Sequence, residues 1–364
     1  MRFPSDLPPT RFAGWPALPA RLLLCALALL VAAGLGSNVR SGQDGVAITQ
    51  QTEELPVNDG TLYRAIADRV ASGEGYYAAA AAEQRTRGYP LRPFVTVRLP
   101  TLAYLRAALG PVGLRLVLFA LLAAAWFTFR RRCAETLAGA TLTAASVLAV
   151  AGLAPILNAT LTDWHESYAG ALLLLSLALR TRDRWGMSLV AAVIAAAFRE
   201  LALPYLAVMA VVALAEGHRR EAGAWAVAIL AGAAMVGAHA LAVAGVVTEG
   251  DAASPGWAVA GGWAFVLDVG RACTMLVLMP APVVALAVPL ALIGWGAWTS
   301  ELATRATLTL GGYVLAFTAI GRPDNVYWGM LVGPMLMPGL ALVPAALCDL
   351  VGAAGPHRLA ARAA

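Results

Sequence analysis

Apolar runs recur along nearly the whole chain, at residues 22–35, 112–129, 137–157, 167–179, 224–246, 274–298, 306–320 and 330–350. Several approach or exceed the roughly 20 residues a helix needs to cross a ~30 Å hydrocarbon core. Between Trp185 and His218 two shorter apolar runs flank Arg199-Glu200. One helix over that stretch would be ~50 Å long, too long for a single crossing. Pro204 also disfavours a single helix, so the reading is a hairpin with Arg199 and Glu200 at its turn. Only 13% of the 364 residues are charged, against about 25% in a soluble domain. The expected fold class is therefore all-α: a polytopic transmembrane helical protein of about ten spans, forming a single domain over residues 1–364.

Charge gives the expected orientation. The formal net charge is +5 and every one of the 26 basic residues is arginine. Arg130-Arg131-Arg132, the group Arg180, Arg182 and Arg184, and the pair Arg219-Arg220 follow or precede apolar runs. They read as cytoplasmic loops that fix topology rather than as a nucleic-acid surface. Loops carrying Glu249 and Asp251, or Arg322 and Asp324, then fall on the outer face, and both termini inside. Residues before Pro19 are rich in proline and read as a disordered tail. The run 22–35 reads as a retained anchor rather than a cleaved signal, because the tail before it is long.

One long polar segment interrupts the apolar pattern, between Gly36 and Gly113. It reads as the first extracytoplasmic loop, residues 37–112. Leu62, Ile66 and Val70 recur at helical spacing, which predicts an amphipathic helix over residues 61–72 lying at the interface. A second helix starts at Tyr76 and ends near Gly88. Pro90, Pro93 and Pro100 then predict an extended stretch.

With this topology the notable polar groups collect on one face: Asp59, Glu74, Arg98, Asp163, His165, Glu166, Arg199, Glu200, Arg322 and Asp324. Ionisable groups at membrane depth are costly, which makes such residues functional candidates. Arg199 and Glu200, as helical neighbours, would each need a different partner. In a helix Asp163 and Glu166 would share a face and His165 would point away, a poor metal set. A divalent metal is not indicated, and no cofactor is expected. The four cysteines form no CxxC pair, so neither zinc nor a disulfide framework is indicated. No P-loop or dinucleotide-binding glycine pattern occurs.

Asp59-Gly60-x-x-Tyr63, followed by Gly73-x-Gly75-Tyr76, resembles the first outer loop of GT-C-fold glycosyltransferases, especially protein mannosyltransferases and their bacterial lipid-A-modifying relatives. Arg98-Leu99-Pro100 is similar to the family's Arg-x-Pro stretch. Residues 162–179 resemble its third-to-fourth span connection, and Ala197-Phe198-Arg199-Glu200 its later arginine-containing turn. The likeness covers about the first 210 residues. It departs where the family often shows an Asp-Glu pair, since Gly60 follows Asp59. Asp59 also lies far beyond the first span, which makes Asp44 a rival.

The resemblance implies transfer of a sugar from a polyprenyl-phosphate donor to a glycan, lipid or protein acceptor. The site would face the extracytoplasmic side of a bacterial inner membrane, with membrane lipid as a partner and no nucleic acid. Asp59 would be the catalytic base, and Arg199 the contact to the donor phosphate. Glu200, Asp163, His165, Glu166, Tyr63, Tyr76, Arg98, Arg322 and Asp324 would bind substrate. A transporter or flippase of lipid-linked precursors, or a non-catalytic assembly protein, are the competing expectations.

Overall fold

A computed structural model describes residues 10–37, 59–256 and 259–355. Within them the regular structure is helical; two isolated bridges, Thr10 with Trp298 and Arg92 with Ala253, are the extended pairings, and no strand forms among the described residues. Among the described residues five helical stretches are long and apolar enough to cross a membrane: Ala17–Gly36, Phe94–Cys133, Gly139–Leu157, Arg219–Ala244 and Gly333–Ala354. Shorter apolar helices accompany them at His165–Leu179, Gly186–Phe198, Glu200–Ala215 and Ala281–Ala297. The chain divides into two compact units.

The first unit comprises Met1–Gly42, Trp126–Leu153 and Ala260–Ala364. Helix α1 (Ala17–Gly36) exposes Leu22, Leu29 and Leu35, an apolar surface of the kind that faces lipid or a partner. The later helices are α10 (Gly262–Ala272), α11 (Ala281–Ala297), α12 (Glu301–Ala319), α13 (Gly333–Leu336) and α14 (Val343–Ala354). Gly294 of α11 and Gly339 approach so closely that a Cβ on either would collide with backbone of the other segment. The 3₁₀ segment Met337–Leu342 can therefore lie directly on α11. Thr10 bonds the Asp349 carboxylate at 2.7 Å, and Arg11 donates to the Ser300 carbonyl at 3.2 Å and to Thr304. Residues 10–15 are thus packed, which corrects the expectation of a disordered tail for that part. The remainder of the tail, with Arg2, lies outside the described residues, as do Asp44, Arg358 and Arg362.

The second unit comprises Gln43–Ala125 and Ala154–Val259. Helix α2 (Asp59–Ala71) carries an acid in its first turn and Arg69 in its last, both favourable to the helix dipole. It stops where Gly73 takes φ +97° and Glu74 N–H bonds back to the Arg69 carbonyl, a left-handed cap that glycine adopts without strain. Helix α3 (Tyr76–Thr86) follows. Leu62, Ile66 and Ala67 of α2 pack with Tyr76, Ala79, Ala80, Leu91, Val97 and Val243. The apolar stripe that suggested interfacial adsorption is covered by protein instead. The helical spacing holds over Asp59–Ala71, while what the stripe packs against is not encoded in spacing.

Helix α4 (Thr101–Cys133) changes direction at Gly110, whose φ of 68° is non-helical, just before Pro111. Helix α5 (Gly139–Leu153) belongs to the first unit. In the second, α6 (His165–Leu179), α7 (Gly186–Phe198), α8 (Leu203–Ala215) and α9 (Arg219–Ala244) run alternately up and down. The side chains at their ends establish this. Arg180, after α6, meets Glu216, after α8, and Glu221, opening α9. At the other end Glu166, opening α6, meets Arg199, between α7 and α8. The break at Arg199 falls where the sequence places a turn. Each arm, at 13 residues, is only ~20 Å long.

Candidate functional site

At the Arg199 end of the second unit the first polar loop meets two distant stretches of the chain, residues 163–166 and 199–200. Asp59 stands in the first turn of α2. The Tyr63 hydroxyl, one turn on, reaches its carboxylate at 3.5 Å, and the Tyr89 hydroxyl is near enough to feel its charge. Arg98 Nε donates to the Tyr63 hydroxyl at 3.0 Å. Arg98, Tyr63 and Asp59 therefore form a relay in which one phenol accepts from a guanidinium and donates to a carboxylate. Burial, and then the Asp59 charge, push the Tyr89 hydroxyl far above its ordinary range. Tyr76 is buried and donates to the Arg98 carbonyl at 2.6 Å, and burial likewise raises its hydroxyl well above the usual value.

Asp163 and His165 do not share a helix. Asp163 ends the 3₁₀ turn Ala159–Asp163, the chain extends at Trp164, and α6 starts at His165. Asn158 caps the 3₁₀ turn by accepting from Thr160 N–H. The same-face pairing expected for Asp163 and Glu166 is absent because the helix begins two residues later than that pairing requires. Asp163 is instead buried between two arginines, with Arg106 Nη1 at 2.8 Å and Arg64 Nη1 at 3.3 Å. The His165 ring meets the Tyr63 ring edge-on at 4.8 Å. Together Tyr63, Tyr76, Arg106, Asp163 and His165 line a half-open cleft with apolar walls from Ile66, Leu102 and Ala103.

Arg199 takes extended backbone between α7 and the 3₁₀ turn Glu200–Ala202. That conformation lets neighbours pair, and Arg199 Nη1 bonds the Glu200 carboxylate. The helical expectation of separate partners is corrected on this point. Arg199 Nε also lies 2.6 Å from Glu166 Oε1. Glu166 is fully buried, and neither of its oxygens makes an aligned hydrogen bond. The contact is one of charge, and Arg199 stands between two carboxylates.

Further out, His239 Nε2 donates to the Val97 carbonyl at 3.0 Å, which leaves Nδ1 to accept from the Tyr77 hydroxyl at 3.1 Å. Arg85 grips the buried Asp251 through Nε at 2.7 Å and Nη2 at 2.8 Å. These donors hold the Asp251 carboxyl well below the usual range. Glu74 is bonded by Arg69 on the surface of α2.

Of the residues singled out in the sequence, Asp59, Tyr63, Tyr76, Arg98, Asp163, His165, Glu166, Arg199 and Glu200 all fall in the second unit. Arg322 and Asp324 belong to the first, where they pair with each other. Sequence reading missed Arg64, Arg106 and Tyr89. Arg64 carried one signal, its place on the polar side of α2. Arg106 sits amid the apolar stretch Phe94–Cys133, and its partner is 57 residues away, a pairing no local pattern encodes. Among the described residues no group of three or more His, Cys, Asp or Glu is placed to hold a metal ion. Comparison with family models, curated proteins and solved structures finds no match.

Proposed function

We propose that the protein is a GT-C-like integral-membrane glycosyltransferase of about ten spans. It moves a sugar from a polyprenyl-phosphate donor to a glycan, lipid or protein acceptor on the extracytoplasmic face of a bacterial inner membrane. The observation that carries this reading is the convergence at the Arg199 end of the second unit. Asp59, Tyr63 and Arg98 of the first polar loop come together there with Asp163, His165, Glu166 and Arg199. Arginines follow or flank the opposite helix ends at Arg180, Arg182, Arg184, Arg219 and Arg220, the distribution expected of a cytoplasmic face.

In this reading Asp59 is the general base. A carboxylate there takes the proton of the acceptor hydroxyl as the new bond forms to the anomeric carbon and the phosphate leaves, with assistance of about 10²–10⁴ in rate. An arginine suits the leaving phosphate because its planar fork binds two oxygens at once. Arg199 is balanced by two carboxylates, so the phosphate contact is assigned to Arg98, whose Nε is linked to Asp59 through Tyr63. Purified protein in liposomes, supplied with a panel of polyprenyl-phosphate sugars and an envelope-lipid extract as acceptor, should release polyprenyl phosphate and label the acceptor. No release or labelling with any donor, while a lipid-linked sugar moves across the bilayer, would replace transfer with transport.

A further inference from the structure

Arg115 is a cation set into an apolar helix. It lies in α4, five residues past the break at Gly110, within the stretch Phe94–Cys133 that is long and apolar enough to cross a membrane. Arg106, earlier in the same helix, is paired with Asp163; Arg115 has no hydrogen bond or ion pair with any of the described residues. Its side chain is partly exposed. Leu114, Leu118 and Leu122, four residues apart, are buried and turn one face of the helix to protein. Val112, Leu116 and Phe119 are exposed, as are Ala120 and Ala123. Arg115 shares a face with Val112 and Phe119, at the margin of this exposed strip. The Tyr168 hydroxyl lies 3.3 Å from the Leu114 carbonyl and 3.0 Å from that of Thr162. Arg115 is therefore level with the start of α6, at the end of the second unit that holds the candidate site.

A charge beside lipid is costly unless something pairs with it, and the strip around Arg115 restricts what that is. Residues 112–123 span about 17 Å at 1.5 Å per residue, close to one leaflet, half of a ~30 Å hydrocarbon core. Arg115 stands near the end of the strip that is level with Thr162. The molecule that matches both parts has an anionic head and apolar chains of leaflet length. A guanidinium binds two phosphate oxygens at once. A choline or ethanolamine head carries its own cation for that phosphate, whereas an anionic head leaves its charge to the arginine. Arg115 also lies beyond the Gly110 break from Leu102, Ala103 and Arg106, which line the cleft, so a lipid of the bilayer fits better than the sugar donor. We propose that Arg115 and the exposed strip of α4 bind one anionic phospholipid through its phosphate. The one premise is that the chain lies in a membrane; glycosyl transfer is not needed.

The test uses the full chain in nanodiscs of equal parts phosphatidylglycerol and phosphatidylcholine. The protein is released from them in a native mass spectrometer and its retained lipids are counted. The parent should keep one more phosphatidylglycerol than Arg115→Leu, with the same count of phosphatidylcholine in both. Leucine suits a lipid-facing helix position and removes no bond within the described protein, so the melting temperature of Arg115→Leu in pure phosphatidylcholine nanodiscs should not fall below that of the parent. An equal count of phosphatidylglycerol in the two proteins, or loss of phosphatidylcholine in its place, would overturn the proposal.

A second variant covers the case in which the first does not fold. Arg115→Gln keeps a polar side chain without the charge and should lose the same lipid; a Gln variant that retains it would count against the arginine. Phosphatidylglycerol titrated into phosphatidylcholine nanodiscs should bind the parent about fivefold more tightly than either variant, the effect of one basic residue at an anionic lipid surface. A ratio below about twofold would remove Arg115 from the site. Polyprenyl phosphate, added in an amount equal to the phosphatidylglycerol, should leave the retained phospholipid in place. Its displacement would hand the site to the sugar donor and end the proposal.

Discussion

The two ends of the second unit's helices each bury an arginine between carboxylates, and they are built differently. At one end Arg180 holds Glu221 with two parallel bonds, Nε at 3.0 Å and Nη2 at 2.7 Å, and Glu216 lies at 3.3 Å. Trp225 Nε1 donates to the same Glu221 at 3.3 Å, and His218 Nδ1 meets Arg180 Nη2 at 3.2 Å. At the other end Arg199 touches Glu166 without an aligned hydrogen bond, and His165 Nδ1 has no partner. The first cluster is satisfied and closed. The second, beside a cleft, leaves buried polar atoms unmet. Unmet groups are destabilising unless something compensates them, and in the function proposed above a bound substrate is that compensation at the Arg199 end.

The largest contrast to test is sidedness. With the native cysteines replaced, a cysteine beside Asp251 should react with an impermeant thiol reagent added outside cells, and one beside Arg182 should react only after permeabilisation. Reversed labelling would invert the assignment of both ends and move the site to the cytoplasm.

Next comes the difference in what each cluster contributes to stability. Glu221→Gln removes one side of a buried, doubly bonded pair and should cost about 3–5 kcal/mol in unfolding experiments. Glu166→Gln leaves Arg199 its contact with Glu200 and relieves a buried charge lacking aligned bonds, so its cost should not exceed about 1.5 kcal/mol. Equal losses at the two ends would erase the distinction drawn between them.

The smallest effect concerns the clasp between α3 and the loop after α9. Its pKa lies below the ordinary carboxylate value, so the Arg85–Asp251 pair adds stability above that value and loses it as pH falls through the depressed one. The melting temperature of the parent should exceed that of Asp251→Asn at neutral pH, with the gap closing below pH ~4. A gap that stays constant down to pH ~3 would remove the charge from the explanation.

Much of the helical outline was legible because its signals are local. The stripe of Leu62 and Ile66, the end of that helix before Gly73 and the interruption at Arg199 each lie within a few residues of the feature they produce. Arg180 reads as a topology marker in the sequence, and its burial against Glu221 depends on a helix that starts 39 residues later. The Arg64–Asp163–Arg106 clamp was illegible for the same reason: it joins three elements across the fold.

The central proposal is that Asp59, joined through Tyr63 to the cleft wall, takes the proton of the acceptor. Asn in its place keeps the size and can still accept from Tyr63, and it serves about as well at a helix start. The deciding measurement is the single-turnover rate of sugar transfer from a polyprenyl-phosphate donor by folded Asp59→Asn, compared with the parent in the same liposomes. The account predicts a fall of about 10²–10⁴; a rate within threefold of the parent would contradict it.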